Sequence, residues 1–375
     1  MIEKMNSPYL NFWQRIDWPT TIFLILMPIL SLILVPIYLY SEGWQWGLWI
    51  FASVFAVLTN LSITAGYHRL FSHRAYEAHA LVRAFWLLIG AAAFQGSALK
   101  WSADHRIHHN KVDSEDDPYS INKGFWYAHM GWLFLKDTTD ANPRAADLEK
   151  DWMVVFQHRY YVPIAILMGF GLPTLVGALM GNPFGGFLVG GVLRIFLTQQ
   201  STFCVNSLTH TFGRQTYSED ISARDSFWVA VITHGEGYHN YHHRFQTDYR
   251  NGIRWYQWDP TKWTIRFLAF VGLAGRLRRI SQEEILRARL QLEAKKLEVK
   301  GLSQGRLQQL RERILTAQLA LRELRKEYEQ MRSEFSENSH QKLELLKLQM
   351  EERRLEFEFA LKQWQIYLNA KTKLA

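Results

Sequence analysis

The stretches "HRLFSH" (68–73), "HRIHH" (105–109) and "HNYHH" (239–243) repeat one residue type at short spacing. Imidazole at such spacing is metal-ligand chemistry. Histidines at i, i+3 and i+4 project from one helical face, one turn apart. His105, His108 and His109 fit this pattern, and so do His239, His242 and His243. Within each set, the neighbours at i+3 and i+4 can serve two adjacent ions. His68 and His73 are five apart, which turns an α-helix ~140° off the starting face. They reach one centre only if the helix ends between them, as the charged Arg69 suggests. Asn206 and His210, at i and i+4, offer a further ligand pair. Imidazole accepts iron, zinc, copper and nickel alike. A lone zinc needs only about four ligands, so this many candidates fit two metals better than one.

A single histidine at a membrane edge is more often a satisfied polar group than a ligand. Eight histidines in three boxes outweigh that reading. His79, His129, His158, His234 and His340 lack a partner at ligand spacing and are read as non-ligands, with His129 and His234 the nearest to exceptions. Metal-bound histidines donate their second ring N–H to a carboxylate or carbonyl. Asp104 and Glu236, just before their boxes, are the candidates for that role. Asp113, Glu115, Asp116 and Asp117 read as a solvated acidic loop.

The elements that must position these boxes are apolar. Residues 19–40, 44–67 and 161–181 carry no charge, and 184–208 is interrupted only by Arg194. Each suffices for the ~20 residues of a bilayer-crossing helix. The first is too long for a signal-peptide core and lacks a small-residue cleavage site. An arginine in mid-span should face the bundle interior or a polar cavity. The turns Ser41-Glu42-Gly43 and Gly181-Asn182-Pro183 hold neither Lys nor Arg, whereas the N-terminus, 68–160 and the region after 209 are rich in both. The positive-inside rule then predicts cytoplasmic termini and long loops. The uncharged run 84–99 is only about 24 Å as a helix and is expected to return to the same face. All three boxes then converge on one side of the membrane. The expected fold is an all-α membrane protein: four transmembrane helices, a cytoplasmic histidine-rich helical cap and a C-terminal coiled-coil tail. The segment 254–274, mixing tryptophan, basic and aliphatic residues, reads as interfacial. The single Cys204 lies inside the fourth run and reads as a small buried residue, so disulfides are not expected.

With the boxes in place, a resemblance follows. "ITAGYHRLFSHR", "DHRIHH", "GEGYHNYHH" and "DPTKW" resemble the membrane fatty-acid desaturases of the acyl-CoA (delta-9, stearoyl-CoA-like) type over roughly residues 15–280. "QGSALKWSADHRIHHNKVDSEDDPYS" looks closest to bacterial members, which implies a bacterial inner membrane. The first two boxes are spaced differently from those of the related alkane and sterol hydroxylases. A third box that begins with His rather than Gln is unlike the front-end desaturases. The resemblance implies two iron ions held by His68, His73, His105, His108, His109, His210, His239, His242 and His243, with Asn206 linked through water. It implies O2 as co-substrate and no catalytic residue beyond the metal centre. It also implies a narrow acyl tunnel, with Trp101 and Phe203 near the metals and Ala56 and Asn60 near the closed end. Lys100 and Arg106 at its mouth would meet a phosphate-bearing headgroup, an acidic electron donor or anionic lipid.

Almost all of the net charge of +8 resides in residues 276–375, so the chain divides into a membrane domain, 1–275, and a helical tail, 276–375. Leu307, Leu310, Ile314, Ala317, Leu321, Leu324, Tyr328, Met331 and Phe335 alternate in steps of three and four, a heptad seam. "SENSH" (336–340) is expected to turn the helix back, forming either a hairpin or an oligomerising element. The sequence holds no cytochrome b5-type His-Pro-Gly-Gly motif and no cysteine set for an iron–sulfur cluster. Electrons are therefore expected from a separate donor, a ferredoxin or a cytochrome b5-like protein with its reductase, and no nucleic-acid partner is expected. The reading is an O2-dependent desaturase placing a cis double bond in a saturated fatty acyl chain, with acyl-CoA the expected form. The alternatives are a di-iron lipid hydroxylase and a non-catalytic metal-binding membrane scaffold.

Overall fold

The computed structural model describes residues 11–136, 145–333 and 340–370. Contacts divide the chain into two units, Met1–Gln215 with Asp220–Arg279 and Thr216–Glu219 with Ile280–Ala375. Among the described residues four helices are long and apolar enough to cross a membrane: α1 (Trp18–Glu42), α2 (Trp46–Ser72), then Tyr161–Leu179 and Pro183–Ser207. They match the four apolar runs of the sequence within a few residues, except that α2 runs on through the first histidine box.

Local chemistry sets these boundaries. Asp17 caps α1 by accepting the Thr20 N–H, Pro19 occupies its first turn, and Gly43 ends it at φ 72°. Such a cap contributes about 1 kcal/mol. The buried residues of α1, Leu24, Met27, Ser31, Val35 and Tyr38, recur in steps of three and four. That leaves Leu26, Ile29, Leu32 and Ile33 exposed on the face a bilayer would cover. The run 84–99 is not one helix. Helix α3 (Ala80–Ala91) ends, the chain turns through Phe94 and Gly96 at positive φ, and α4 (Ala98–Lys111) begins at its Ser97 cap. This reversal brings the second box back to the first. The third and fourth spans are α5 (Tyr161–Leu179) and α6 (Pro183–Ser207). They cross so closely that a Cβ on Gly177 would meet the Gly186 Cα at 2.6 Å.

Arg194 on α6 is 1 % exposed and faces the interior. It donates to the carbonyls of Gly190 (2.8 Å), Ala92 (3.1 Å) and Gly169 (3.1 Å) and lies 4.6 Å over the Phe55 ring. Gly169 and Gly190 belong to π-helical stretches, where the wider turn disturbs the ordinary helical pairing of carbonyls.

Beyond α6 lie α7 (His239–Arg244) and α8 (Pro260–Phe270). The two-residue strands Glu77–Ala78 and Ala274–Gly275 pair antiparallel and tie the chain after the first box to the end of α8. Trp263, Phe267 and Phe270 form an exposed apolar stripe along α8.

In the second unit, α9 (Gln282–Val299), α10 (Gln304–Ser333) and α11 (His340–Asn369) share a core of Leu290, Leu297, Leu307, Ile314, Ala360 and Trp364. Arg306 reaches the Tyr367 hydroxyl at 2.6 Å and Arg313 lies over the Phe359 ring, so α10 and α11 run antiparallel. The seam positions Leu307, Ile314, Ala317 and Leu321 are buried within the chain. Except for His340, the expected reversal at 336–340 lies outside the described residues.

Candidate metal centre

Helix α2 carries its first box by changing pitch. From Ser62 to Ser72 it is π-helical, and the His73 N–H donates to the His68 carbonyl at 3.1 Å. In a π-helix residues i and i+5 lie one turn apart. His68 and His73 therefore share a face without the helix ending between them, which corrects the sequence expectation. Arg69 does not mark a helix end either. It is 1 % exposed, and its guanidinium donates to Glu236 (2.9 Å), Asp259 (3.0 Å) and the Tyr249 carbonyl (2.7 Å).

The second box lies on α4. The third lies on α7, which is held by the Asp225 carboxylate on the Tyr241 N–H (3.0 Å) and by Tyr241 O–H on Asp248 (2.8 Å). Two glycines of "GEGYHNYHH" make room for it. A Cβ on Gly235, at φ 106°, would meet Asp259 Oδ1 at 2.5 Å, and one on Gly237 would meet the Ala230 Cα at 2.6 Å. His210 follows the end of α6.

These elements gather nine imidazoles into two groups. His68, His73, His105, His109 and His242 form one, and His108, His210, His239 and His243 the other; within each, ligand atoms lie within 4.8 Å of one another. Sequence neighbours separate: His108 and His243 go to one group, His109 and His242 to the other. The Nε2 atoms converge at 2.9 Å (His68–His242 and His73–His105), 3.0 Å (His242–His109), 3.1 Å (His243–His239) and 3.3 Å (His108–His243).

Metal–nitrogen bonds of about 2.0–2.1 Å place cis ligands about 3 Å apart, and the observed separations match. Hydrogen bonding alone accounts for them poorly. His242 Nε2 faces two other Nε2 atoms, and an imidazole nitrogen holds at most one proton. His210 Nε2 is buried without a hydrogen-bond partner. The donor set fits metal ions in both groups.

Carboxylates and hydroxyls hold the rings from behind. Glu236 Oε2 is 3.0 Å from His68 Nδ1 and Asp117 Oδ1 is 2.9 Å from His108 Nδ1. The hydroxyls of Tyr119 (3.3 Å) and Ser222 (2.6 Å) meet Nδ1 of His105 and His210. Asp104 takes Lys100 Nζ at 2.9 Å. Asp117 is 1 % exposed and Asp113 bonds Ser222, so the acidic loop is only partly the solvated stretch expected; Glu115 and Asp116 are its exposed members. Burial pushes the Glu236 carboxyl up, but Arg69 and His68 outweigh it and hold the group at about 2.

His129 Nε2–H donates to Gln200 Oε1 (3.0 Å) while its Nδ1 lies 2.8 Å from Ser207 Oγ, and His158 bonds Ser97 (2.7 Å). Neither joins a group. The signal for Arg69 and Asp259 was present, since one adjoins His68 and the other opens "DPTKW". Their pairing across 190 residues had no periodicity to reveal it. Asp117 stood in the acidic stretch after the second box but was read as solvated, and Ser222 carried no local signal.

A cavity of about 1760 Å³ opens beside the histidines, lined by Asn60, Ile63, Thr64, Trp101, Phe203 and Asn206 among others. Trp101 stacks on His105 with ring centroids 4.9 Å apart. Asn206 also lies one turn before His210. Ala56 is not among the lining residues; its carbonyl accepts from Asn60 Nδ2 at 3.0 Å. Lys100 lines the cavity with its Nζ paired to Asp104, and Arg106 is bound to Asp147 at 2.6 and 3.1 Å and to the Phe71 and Ser72 carbonyls. Its guanidinium is committed to structure.

Burial, reinforced by the neighbouring imidazoles, holds His73, His105, His109, His210, His239, His242 and His243 well below the ordinary 6.5. A histidine so lowered contributes its full stability above pH 6.5 and loses it as pH falls, because the unfolded chain then binds more protons. The metal-stripped chain should therefore melt at progressively lower temperature as pH drops below about 6.5. A melting temperature independent of pH in that window would contradict the placement of these rings.

A protein with four membrane-length apolar helices and two buried histidine groups is a multi-pass membrane protein whose histidines are arranged to hold metal ions. Residues 12–269 match the fatty acid desaturase family model, and the chain belongs to that family. It is 42 % identical over 300 residues to acyl-CoA desaturase 1 of Saccharomyces cerevisiae, covering 78 % of this chain and 58 % of the yeast protein. It is 43 % identical over 296 residues to the probable acyl-CoA desaturase of Schizosaccharomyces pombe, covering 77 % and 60 %. It is 39 % identical over 217 residues to the sn-1 stearoyl-lipid 9-desaturase of Anabaena variabilis, covering 57 % and 77 %. The chain thus spans less than two thirds of the two yeast relatives.

Proposed function

We propose that this chain is an O2-dependent desaturase that places a cis double bond, at the delta-9 position, in a saturated fatty acyl chain carried as a CoA thioester. The observation that carries the reading is the division of nine histidines into a group of five and a group of four beside a cavity large enough for an acyl chain. The two yeast relatives are named for acyl-CoA, which favours the thioester, whereas the cyanobacterial relative is named for a stearoyl-lipid. Two irons would be held by His68, His73, His105, His109 and His242 and by His108, His210, His239 and His243, with Asn206 water-linked in the second group. When bound, they supply the oxidising power, drawn from O2 and two electrons, that removes hydrogen from unactivated CH2 groups.

The chain's own residues do the positioning. No acid or base removes an alkyl proton at useful rates, so the protein must fix which carbons lie at the centre and keep water out. Trp101, stacked on His105, and Phe203 wall the cavity where the acyl chain passes the histidines. Asn60, Ile63 and Thr64 line it further along α2. Lys100, which lines the cavity and is half-exposed beside its partner Asp104, suits a phosphate-bearing headgroup. The histidine layer and both ends of the chain lie on the cytoplasmic side, as the charge pattern of the loops indicates. Electrons reach the centre from a redox group outside residues 1–375, which hold no His-Pro-Gly-Gly motif and no cysteine set, and the tail's helices serve as a docking or self-association element.

Gas chromatography of fatty acids from cells expressing the chain tests this. Wild type should add a monounsaturated species. Trp101→Ala should lower its amount by roughly 100-fold, the cost of about a 1 Å misplacement, and spread the bond over neighbouring positions. A variant with unchanged yield and a single bond position would remove Trp101 from the acyl path.

A further inference from the structure

The four-histidine group is held from one side by a single acidic turn. Asp117 bonds His108 directly, and its second oxygen accepts the Asp113 N–H at 3.1 Å. Asp113, in the left-handed region at φ 64°, extends the hold to His210 through a serine. Ser222 lies between them, with its Oγ 2.5 Å from Asp113 Oδ1 and 2.6 Å from His210 Nδ1, while its backbone N–H donates to Asp113 Oδ2 at 2.6 Å.

Proton counting fixes the direction of this chain. An ionised carboxylate only accepts, and a serine hydroxyl has one proton to give. Ser222 Oγ–H must therefore donate to Asp113. Its oxygen is left as an acceptor, so the facing His210 nitrogen must be Nδ1–H. The other nitrogen, Nε2, then carries a bare lone pair, and it is the buried, partnerless atom that points into the group. We propose that Asp113 and Ser222 are positioning residues that set the His210 tautomer and thereby equip the four-histidine group to hold its metal. The inference rests on the metal reading of the preceding subsection and deepens it.

The counting distinguishes this role from simple packing. In Asp113→Asn the Ser222 N–H can still only donate, so the new amide must turn its oxygen there and its NH2 toward Ser222 Oγ. Ser222 Oγ–H must then donate to His210 Nδ1, which becomes the lone-pair nitrogen, so the single ring proton sits on Nε2 and blocks the atom that faces the group. In Ser222→Ala the tautomer is merely released. The isosteric Asp113→Asn should therefore cost more metal than the truncation. A packing role predicts the reverse order.

The test is metal content of the purified full-length chain by plasma mass spectrometry across a chelator series, with circular dichroism to confirm equal helicity. Wild type and Ser222→Thr, which keeps the hydroxyl, should retain two irons. Ser222→Ala should release one of them at a chelator concentration about 10–100-fold lower, and Asp113→Asn at a lower concentration still. Asp113→Asn holding both irons as tightly as wild type, or more tightly than Ser222→Ala, would overturn the proposal. Should Asp113→Asn not fold, Asp113→Ala replaces it: release like that of Ser222→Ala supports the proposal, and full retention overturns it. A wild-type chain that binds no iron would instead refute the metal reading itself.

Discussion

His242→Ala should abolish formation of the unsaturated product, by about 100-fold or more, and remove iron from the five-histidine group. The ring occupies the hub of that group, with Nε2 2.9 Å from His68 and 3.0 Å from His109. Its removal opens the coordination shell and leaves neither neighbour a substitute. Iron content should fall from two toward one per chain, since the four-histidine group does not include His242. His340→Ala, on an exposed residue of α11, should change neither quantity. The pair separates a metal ligand from a generic histidine effect. Full product from His242→Ala would show that this ring holds no metal.

Arg69→Met should destabilise the membrane unit by about 3–5 kcal/mol, the range for breaking a buried ion pair. The loss leaves Glu236 and Asp259 buried together without their shared cation. The fork of Arg69 also meets the Tyr249 carbonyl, so Arg69→Lys, with a single point donor, should restore little of the loss. A pH signature accompanies the effect. In wild type the Glu236 carboxyl is held at about 2, against an ordinary 4.5. It contributes stability that is complete above the ordinary value and is lost as pH falls toward about 2. Without Arg69 that loss should begin at higher pH, and the acid limb of a melting-temperature profile should shift upward. Because Glu236 also orients His68, iron retention should weaken in the same variant. An unchanged acid limb would show that Glu236 does not depend on Arg69.

The spans were legible because a bilayer-length apolar run has one reading. The boxes on α4 and α7 were legible because i, i+3 and i+4 spacing defines a helical face. What escaped was geometry without a sequence period. The π-helical pitch that aligns His68 with His73 leaves no mark on hydropathy, so a five-residue spacing suggested a helix end where the chain in fact continues. The acidic stretch 113–117 looked like solvated surface because charge without periodicity usually is. Only the fold shows that Asp113 and Asp117 turn inward while Glu115 and Asp116 remain outside. Arg106 illustrates the converse: a cation near a cavity mouth suggested ligand attraction, yet Asp147 and two carbonyls occupy it. Of the heptad positions of α10, Leu307, Ile314, Ala317 and Leu321 are buried, and α9 and α11 share the core that Leu307 and Ile314 enter.

The most direct test of the central claim supplies electrons and O2 to the purified, iron-loaded chain in bilayers with a saturated acyl-CoA, and weighs the product by mass spectrometry. The product should be an acyl chain that has lost two hydrogens and gained no oxygen, with none from His242→Ala. A product carrying an added oxygen would make the chain a hydroxylase, and unaltered substrate under conditions that reduce the iron would contradict a desaturase altogether.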